Sequence, residues 1–324
     1  MKREYLNFTK HKTIEIAEEV LPERLKSDEV AGRTLFSLIS AGTELAAGYL
    51  DVFDWGYPKK TGYASVFKVE EKGADVKGID IGDIVFTTEA HQSYQRVKAI
   101  NTVRIPDSVR PEQALFIRMA GVSMATLSKT SVKPGEKLLV TGLGAVGFLA
   151  LQVYSNLGYD VIGVDPNPER IQMIRAMGFD NVCTSISSDD ERYAKKIGLA
   201  LECSGNEGAV LNCCNMVRPL GEVSVVGVPW KRNTDMYAHE LLHSIFYNYV
   251  RLYSGWEMNL PVESSEFVYE SMNKNYRLAL KMLAAGKIVV DGMYTIKPYT
   301  DAQKAYDDIY NKKEKALSTI FKWN

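Results

Sequence analysis

The sequence predicts an α/β protein in which a β-rich segment precedes a doubly wound parallel sheet. Three observations lead to this prediction: short alternating runs in the first third, near-continuous apolar runs separated by helices in the middle third, and a return to alternating runs at the end. With 324 residues, the chain exceeds the roughly 100–200 residues of an ordinary domain, so we expect two domains.

Composition and charge narrow the class of function. Hydrophobic residues make up 46% of the chain and charged residues 24%, as in typical globular proteins. A net charge of −1 leaves no basic footprint for nucleic acid or for an anionic membrane. No apolar run follows the charges of MKREYLNFTK, and the most apolar window, 138–153, is shorter than the roughly 20 residues of a membrane helix. We therefore expect a cytoplasmic protein with a small-molecule substrate.

The four cysteines predict neither disulfides nor a zinc cluster. They are Cys183, Cys203, Cys213 and Cys214, and none forms a C-x-x-C pair. We expect them to be small buried side chains.

In the first third, five short runs predict strands and one stretch predicts a helix. The strand runs are FSLIS, YASVFKV, GDIVFTT, YQRVKAI and IPDSV, and GTELAAGYL favours a short helix. Gly, Pro, Asp and Lys separate these runs, as in a small barrel or sandwich.

In the middle third, strands and helices alternate. KLLVTG, YDVIGVD, NVCTS, GLALECSG and EVSVVGV predict strands, and HELLHSIFYNYVRLYSGW adds a helix and a sixth strand. Helices are predicted over AVGFLALQVYSNLG, NPERIQMIRAMG, RYAKKIG and NEGAVLNCCNMVRPLG, with Pro168 in a first turn and Gly158 and Gly178 at helix ends. Six strands joined by helices predict a Rossmann-type sheet.

The last part of the chain predicts a long helix and then strands that return to the first domain. The helix is SEFVYESMNKNYRLALKMLAAGK, which Gly286 ends. The strands IVVDGMYTIKP and LSTIFKW flank the short helix DAQKAYDDIYNK, with Thr300 as its predicted cap. We predict one domain from residues 1–115 and 288–324, and the Rossmann-type domain from residues 116–287.

The segment TGLGAVG carries a dinucleotide-binding signature. Its three glycines have the G-x-G-x-x-G spacing directly after a predicted strand and at the start of a predicted helix. The first permits a tight turn, the second lets the backbone approach a pyrophosphate, and the third lets helix and strand pack closely. The predicted cofactor-binding residues of this loop are Gly142, Leu143, Gly144, Ala145, Val146 and Gly147. The alternative is a glycine turn that only packs.

Asp165, at the end of the next predicted strand, indicates the cofactor. A carboxylate there would accept hydrogen bonds from the adenosine ribose and repel a 2′-phosphate, which favours NAD over NADP. Arg170 follows closely in sequence and weakens this preference, so NADP is not excluded. At the same edge of the sheet, four further residues are predicted to line the cofactor cleft: Ser204, Val226, Gly227 and Val228.

The order of these segments resembles the medium-chain dehydrogenase/reductase superfamily. SVKPGEKLLVTGLGAVG resembles its entry into the cofactor domain, and RLALKMLAAGKI and AYDDIYNKKEKALSTIFKW resemble its closing segments, so the resemblance covers essentially the whole chain. It implies a GroES-like catalytic domain in addition to the Rossmann domain, a nicotinamide-dependent oxidoreductase, and a place for Ser123 near the nicotinamide.

The ligands of a catalytic zinc are missing at the matching positions. Where many zinc alcohol dehydrogenases of the superfamily have Cys, His and Cys, this sequence has Glu44, Tyr63 and Met119 or a neighbour of Met119. The four-cysteine structural zinc lobe is missing too. Because zinc needs three ligands of this kind, the resemblance implies a metal-free site, unless Glu44 and His91 recruit a metal differently.

A narrower resemblance carries the candidate catalytic residues. SLISAGTEL, KKTGYASV and EAHQSY are similar to a branch without zinc ligands that includes hydroxyethyl-bacteriochlorophyllide dehydrogenase-like proteins. The resemblance implies that Glu44 stands near the nicotinamide and accepts the proton of an alcohol. His91 would then relay protons, and Tyr63 would donate a hydrogen bond to a carbonyl oxygen. Alternatives stay open: Thr43 could N-cap a helix that begins at Glu44, His91 could be structural, and Tyr63 could only pack.

The residues and the resemblance together predict an NAD(P)-dependent, zinc-independent oxidoreductase that interconverts a secondary alcohol and a ketone on a polyol, sugar-like or larger cyclic substrate. Phe53, Trp55 and Tyr57 belong to a loop that either forms a wall for a planar substrate or packs on the domain edge. Two alternatives remain: reduction of an activated C=C bond, as in quinone and enoyl reductases without zinc, and a nicotinamide-binding regulator without turnover. By analogy with the superfamily, the strand after HELLHSIFYN could pair across a homodimer.

Overall fold

The computed structural model describes residues 2–52 and 56–323, and the chain divides into two compact units. The first unit contains residues 1–118, 262–285 and 290–324, and the second contains residues 119–261 and 286–289. Residues 262–285, which we expected within the Rossmann-type domain, thus fall in the first unit.

The secondary-structure elements are numbered in chain order. They are β1 Lys2–Lys10, β2 Thr13–Val20, β3 Glu29–Leu38, α1 Ala41–Gly48, β4 Lys59–Lys60, β5 Ser65–Lys72, β6 Ile84–Thr87, β7 Tyr94–Lys98, β8 Thr102–Arg104, α2 Pro111–Ala114, α3 Ile117–Met124, β9 Lys137–Thr141, α4 Ala145–Asn156, β10 Asp160–Val164, α5 Pro168–Ala176, β11 Val182–Cys183, β12 Ile197–Glu202, α6 Glu207–Met216, β13 Val217–Val225, α7 Ala238–Tyr247, β14 Arg251–Ser254, α8 Met272–Ala284, β15 Tyr294–Pro298, α9 Ala302–Tyr310 and β16 Ser318–Lys322.

The first unit is mainly antiparallel. One of its sheets has the order β2-β1-β4, and the other has the order β15-β16-β3-β5-β6-β8, with β7 paired to β3. The last strand returns to the first part of the chain, as predicted, because Ile320 of β16 pairs with Leu38 of β3. An apolar cluster that includes Phe8, Tyr306 and Phe321 packs beside α1 and α9. This cluster therefore surrounds the buried face of α1.

The second unit contains a six-stranded sheet with the order β11-β10-β9-β12-β13-β14. All five strand pairs are parallel. Numbered within the unit, the order is 3-2-1-4-5-6, which is that of the Rossmann fold. The predicted doubly wound parallel sheet is confirmed. Its strands end at one edge, where the glycine loop and the segments after β10, β12 and β13 lie.

Two predicted helices differ from the structure, one because it does not form and one because it is shorter. The segment RYAKKIG forms turns that lead into β12. The Ala194 N–H closes one turn on the Asp190 carbonyl, and Lys195 then adopts a φ of 55°, so no helix continues from it. The long helix begins only at Met272, because the Ser271 side chain caps it. The preceding residues, from 265 to 270, lie outside it.

Smaller differences concern the flanks of other elements. IPDSV is not a strand, since β8 ends before it. Thr300 lies in a short 3₁₀ turn, and Asp301 is the residue at the N-cap of α9. No helix within the described ranges is long and apolar enough to cross a membrane.

Candidate functional site

Two of the predicted catalytic residues, Glu44 and His91, contact each other in the first unit. Glu44 lies in the first turn of α1 and is 3% exposed, whereas His91 lies between β6 and β7 and is fully buried. The His91 Nε2 atom is 3.2 Å from Glu44 Oε2. The sequence thus identified a buried acid–base pair, although its two members are far apart in the chain.

Three further groups donate hydrogen bonds to the Glu44 carboxylate. The Ser40 backbone N–H donates to Oε1 at 2.6 Å, and the hydroxyl groups of Thr61 and Tyr306 donate to Oε2. Thr61 precedes β5 and Tyr306 lies on α9, so the site is assembled from separate segments of the first unit. Both carboxylate oxygens of Glu44 are therefore engaged by protein donors.

These contacts determine the protonation states. Burial raises the pKa of the Glu44 carboxyl, but the charge and hydrogen bond of His91 and the two hydroxyl donors outweigh it, so the pKa is lowered. Burial and the neighbouring Glu44 raise the pKa of the Tyr306 phenol well above its ordinary value. At neutral pH, Glu44 is accordingly an ionised acceptor and Tyr306 a neutral donor.

The second nitrogen of His91 is held by Ser37. The His91 Nδ1 atom lies 2.7 Å from Ser37 Oγ, which also receives a hydrogen bond of 2.8 Å from Trp323 Nε1. Because an indole N–H can only donate, the Ser37 hydroxyl accepts from Trp323 and has its own proton left for His91. On the other side of the ring, Nε2 faces the Glu44 carboxylate, which as an ionised group can only accept, so Nε2 carries a proton and donates to Oε2.

Tyr63, the third predicted catalytic residue, joins a neighbouring hydroxyl cluster. Its hydroxyl contacts Ser40 Oγ and donates to Thr43 Oγ1 at 3.1 Å, and the Arg118 guanidinium lies 4.6 Å from its ring centroid. Burial raises the pKa of the Tyr63 phenol, and Arg118 and the hydroxyl partners offset this only in part. Tyr63 therefore keeps its phenolic proton. Its hydroxyl contacts the Ser40 hydroxyl, whereas Glu44 is bound by the Ser40 backbone N–H.

The proposed N-cap at Thr43 is wrong. Helix α1 begins at Ala41, and its N-cap is Ser40, whose side chain makes no capping hydrogen bond. Instead, the Glu44 carboxylate bonds to the Ser40 N–H from within the first turn, where an acidic group also complements the helix dipole. The helix start needs no Thr43 cap because Glu44 occupies the free amide.

The glycine loop of the second unit has the geometry of a dinucleotide site. Gly142 has a φ of 79°, and a Cβ on Gly147 would lie 1.9 Å from the Gly142 carbonyl oxygen, so both positions require glycine. A Cβ on Gly144 would meet nothing within 4 Å. Gly144 is also the N-cap of α4, and no described side chain caps this end. The open space and the free first-turn amides fit a pyrophosphate.

Asp165 is buried and already holds three donors. Its Oδ2 atom accepts from the Leu143 N–H and from Arg170 Nη1, both at 2.8 Å, and its Oδ1 atom accepts from the Asn167 N–H at 2.9 Å. The Asp165 side chain is 3% exposed and the Arg170 side chain 34%. The structure therefore places Arg170, rather than the carboxylate, on the accessible side of this pair.

The other predicted cofactor residues lie at the same sheet edge, with one exception. Ser204 approaches the glycine loop so closely that a Cβ on Gly142 would be 2.7 Å from its amide nitrogen. Val226 and Gly227 follow β13, and Val228 next to them is exposed. The exception is Ser123, which is fully buried on α3 and whose hydroxyl donates to the Ala120 carbonyl at 2.9 Å.

The residues present do not fit a catalytic zinc. Across residues 2–52 and 56–323, no group of three or more His, Cys, Asp and Glu side chains could hold a metal ion. The Glu44 oxygens already accept hydrogen bonds from protein donors, so a metal would have to displace them. Of the predicted aromatic loop, Phe53 and Trp55 lie outside the described residues, and the Tyr57 hydroxyl donates to Asp51 at 3.1 Å.

Sequence reasoning missed most partners of the acid–base pair. Thr61 stands in KKTGYASV, a segment already singled out, and could have been found by its position next to Gly62 and Tyr63. Ser37 stands in SLISAGTEL, which was also singled out. Tyr306 and Trp323 carry no local signal, because only the pairing of β16 with β3 and the packing of α9 bring them to the site.

Comparison with known proteins identifies relatives over different parts of the chain. The family described as "Zinc-binding dehydrogenase" matches residues 145–270. An alcohol dehydrogenase of Geobacillus stearothermophilus is 29% identical over 43% of this chain and 43% of its own length. An L-threonine 3-dehydrogenase of Burkholderia multivorans is 23% identical over 72% of this chain and 82% of its own.

Solved structures are similar over nearly the whole chain. Galactitol-1-phosphate dehydrogenase from Escherichia coli superposes with a TM-score of 0.83 at 18% identity, covering 99% of this chain and 100% of its own. Escherichia coli quinone oxidoreductase in complex with NADPH has a TM-score of 0.76 at 18% identity, with 99% and 100% covered. These findings confirm the predicted fold class and the predicted enzyme class, an NAD(P)-dependent oxidoreductase. Together the comparisons support the predicted resemblance to the medium-chain dehydrogenase/reductase superfamily.

Proposed function

We propose that the chain interconverts a secondary alcohol and a ketone with NAD(P) and without zinc, on a polyol, sugar-like or larger cyclic substrate. The observation that carries this proposal is the buried Glu44–His91 pair, in which an ionised carboxylate and an imidazole N–H face each other at 3.2 Å. Alcohol oxidation releases a proton, and a positioned acid–base pair is the means by which a protein without a metal takes it up.

The residues of the first unit have distinct tasks in this proposal. Bound NAD(P) supplies the hydride chemistry. The Tyr63 hydroxyl turns its proton from Thr43 Oγ1 to the substrate oxygen, and its raised pKa keeps the phenol protonated for that hydrogen bond. Glu44 is only 3% exposed and its hydroxyl partners are Thr61 and Tyr306, so the proton of the alcohol reaches it through these hydroxyl groups, each of which passes on its own proton as it accepts another. His91 stabilises the negative charge of the carboxylate before the proton arrives.

Zinc independence rests on the residues at the matching ligand positions. The family match to zinc-binding dehydrogenases covers residues 145–270 and includes neither Glu44 nor Tyr63. At these two positions the chain offers a carboxylate whose oxygens are engaged and a phenol with a raised pKa, and neither suits zinc.

We propose NAD as the preferred cofactor, with NADP bound more weakly. Asp165 keeps a negative charge near the ribose site, but Arg170 neutralises part of it and is accessible to a 2′-phosphate. Replacing Arg170 with Ala should therefore raise the ratio of the NADPH Kd to the NADH Kd several-fold, which is the effect expected when one charged contact is lost. Fluorescence titration with both reduced cofactors measures this ratio, and an unchanged or lower ratio would contradict the assignment.

A second candidate function, reduction of an activated C=C bond, has one observation in its favour. Glu44 and His91 are both buried, and such a reduction needs no acceptor for an alcohol proton. The similarity to a quinone oxidoreductase agrees with this reading but shows only the fold.

A substrate panel separates the two. The protein is treated with a chelator and assayed for formation or loss of reduced nicotinamide absorbance with NAD(H) and NADP(H). The panel contains polyols, sugars and cyclic alcohols on one side and quinones and enones on the other. We expect turnover of a secondary alcohol or its ketone that survives chelation. Turnover of quinones or enones alone would establish the second candidate in its place.

We also propose that the chain forms a homodimer. Strand β14 is at the edge of its sheet and pairs only with β13 among the described strands, so its outer side is available for pairing with a second copy. Light scattering should give the mass of two chains, and a monomer at assay concentrations would contradict this.

A further inference from the structure

We propose that Glu202 is a positioning residue that shapes the nicotinamide half of the dinucleotide site. The inference rests on the proposed binding of a nicotinamide dinucleotide by the second unit. It concerns a residue in ECSG for which the sequence suggested no role.

Glu202 holds two loops at once. It is the last residue of β12 and fully buried. Its side chain accepts hydrogen bonds from the loop that follows: Oε1 from the Ser204 N–H at 2.7 Å and from the Ser204 hydroxyl, and Oε2 from the Gly205 N–H at 3.1 Å. Its backbone carbonyl accepts from the Val226 and Gly227 amides at 2.8 and 2.7 Å. One residue thus connects the segments after β12 and β13.

The two loops lie against each other at distances that only glycine allows. A Cβ on Gly205 would be 2.4 Å from the Val228 carbonyl oxygen, and a Cβ on Gly227 would be 2.4 Å from the Gly205 nitrogen. Ser204 in turn contacts Gly142 of the glycine loop. A shift of Ser204 or Gly205 is therefore transmitted to both neighbouring loops, because no side chain lies between them to absorb it.

The position in the sheet assigns these loops to one half of the cofactor. A sheet with the order 3-2-1-4-5-6 consists of two mononucleotide-binding halves, and the acidic residue at the ribose marks the adenosine half. Here β9, β10 and β11 with Asp165 form that half, so β12, β13 and β14 form the half for the nicotinamide mononucleotide. Glu202 ends the first strand of this second half.

The surroundings of Glu202 match a carboxylate and not an amide. The groups that reach its oxygens are the N–H groups of Ser204 and Gly205 and the hydroxyls of Ser204 and Thr141. Burial raises the pKa of Glu202, and these donors offset part of that effect. An amide would turn an NH₂ group toward one of the backbone N–H donors, and a buried donor would lose its acceptor.

The test compares Glu202→Gln with a matched control, Glu222→Gln. Glu222 is also buried in the second unit, but it accepts from the Ser131 N–H at 2.9 Å and from the Tyr253 hydroxyl at 2.8 Å, away from the cofactor loops. The Kd values of NADH and of ADP are measured for both variants by titration. We expect Glu202→Gln to raise the Kd of NADH about tenfold or more while the Kd of ADP stays within about twofold. The KM for the cofactor should rise in parallel, with little change in kcat at saturation. Glu222→Gln should leave both Kd values unchanged.

Several results would overturn the inference. They are an unchanged Kd of NADH in Glu202→Gln, an equal weakening of ADP, or an equal effect in Glu222→Gln. If Glu202→Gln does not fold, Glu202→Asp is measured in its place. This variant keeps the carboxyl group but shortens the side chain by one methylene. It should raise the Kd of NADH selectively, to a smaller extent. Wild-type protein that binds no NADH would overturn the proposed function as well, whereas wild-type binding with an unaffected variant would overturn this inference alone.

Discussion

Each unit buries a glutamate, and the two are held by different parts of the chain. The side-chain partners of Glu44 are distant in sequence: 17 residues for Thr61, 47 for His91 and 262 for Tyr306. The groups of its own loop that donate to the Glu202 side chain belong to Ser204 and Gly205, two and three residues away. The pKa of Glu44 is lowered and that of Glu202 is raised. Hydrogen-bond donors surround both carboxyl groups. We therefore attribute the opposite directions of the two pKa shifts to His91, which can carry a positive charge beside Glu44.

This comparison separates two uses of a buried carboxylate. Glu44 is kept ionised beside an imidazole, which is the condition for proton transfer. Glu202 has only neutral donors within hydrogen-bonding reach, and these define the shape of two loops. Changes in the first unit should therefore alter turnover, and changes in the second should alter cofactor binding.

The largest effect is expected for Glu44→Gln. Loss of the proton acceptor should lower kcat by on the order of 100-fold, while the Kd of NADH stays within about twofold. Asp307→Asn is the control, since Asp307 accepts a hydrogen bond from Tyr49 in the same unit and does not touch Glu44. Steady-state kinetics and NADH titration on both variants measure the difference. A Glu44→Gln variant with wild-type kcat would remove Glu44 from the mechanism.

A smaller effect, confined to the second unit, is expected from two glycine substitutions. Gly144→Ala should fold normally, because its methyl group enters open space. It should raise the Kd of NADH about tenfold, because the methyl group occupies the place of the pyrophosphate. Gly147→Ala should instead lower the free energy of unfolding by about 1–3 kcal/mol, because its methyl group meets the Gly142 carbonyl. Thermal unfolding and NADH titration distinguish them. Unaltered NADH binding by Gly144→Ala would show that the open space is not the pyrophosphate site.

The smallest effect is expected for Tyr306→Phe, which removes one donor to Glu44. Without it the pKa of Glu44 rises, so the acid limb of kcat/KM should move to higher pH by up to about one unit. Tyr49→Phe, from the same aromatic cluster, is the control because its hydroxyl binds Asp307. Equal profiles for the two variants would contradict a role of Tyr306 at Glu44.

The lowered pKa of Glu44 also makes the stability of the folded protein depend on pH. Because the pKa of Glu44 is lowered in the folded protein, its ionised form contributes stability above pH 4.5, the ordinary value of the carboxyl, and this contribution is lost as the pH falls through the folded pKa. In Tyr306→Phe the contribution should be smaller at neutral pH.

The elements that could be predicted from the sequence depend on local spacing. The glycine loop and Asp165 follow consecutive strands, so a few residues define each of them. The predicted RYAKKIG helix failed because Lys195 turns the chain, and apolar spacing carries no information on that conformation. Helix α1 could be predicted, but its start at Ala41 depends on Glu44 reaching the Ser40 amide.

The C-terminal residues around Glu44 could not be predicted for a different reason. Tyr306 and Trp323 reach the site only after the chain has completed the second unit and returned through β16 to β3. No pattern near Glu44 or His91 records this return. The proposed catalytic environment, which is assembled from antiparallel strands and a late helix, is therefore visible only in the folded chain.

The central claim is that the Glu44–His91 pair, and no zinc ion, supports the proton transfer of alcohol oxidation. Chelator-treated protein is reconstituted with zinc from none to one ion per chain, the metal content of each sample is determined, and the initial rate of NADH formation is measured with the alcohol identified by the panel. The account predicts the same rate per chain at every zinc content. A rate proportional to zinc content would contradict it and would make Glu44 and His91 candidate metal ligands.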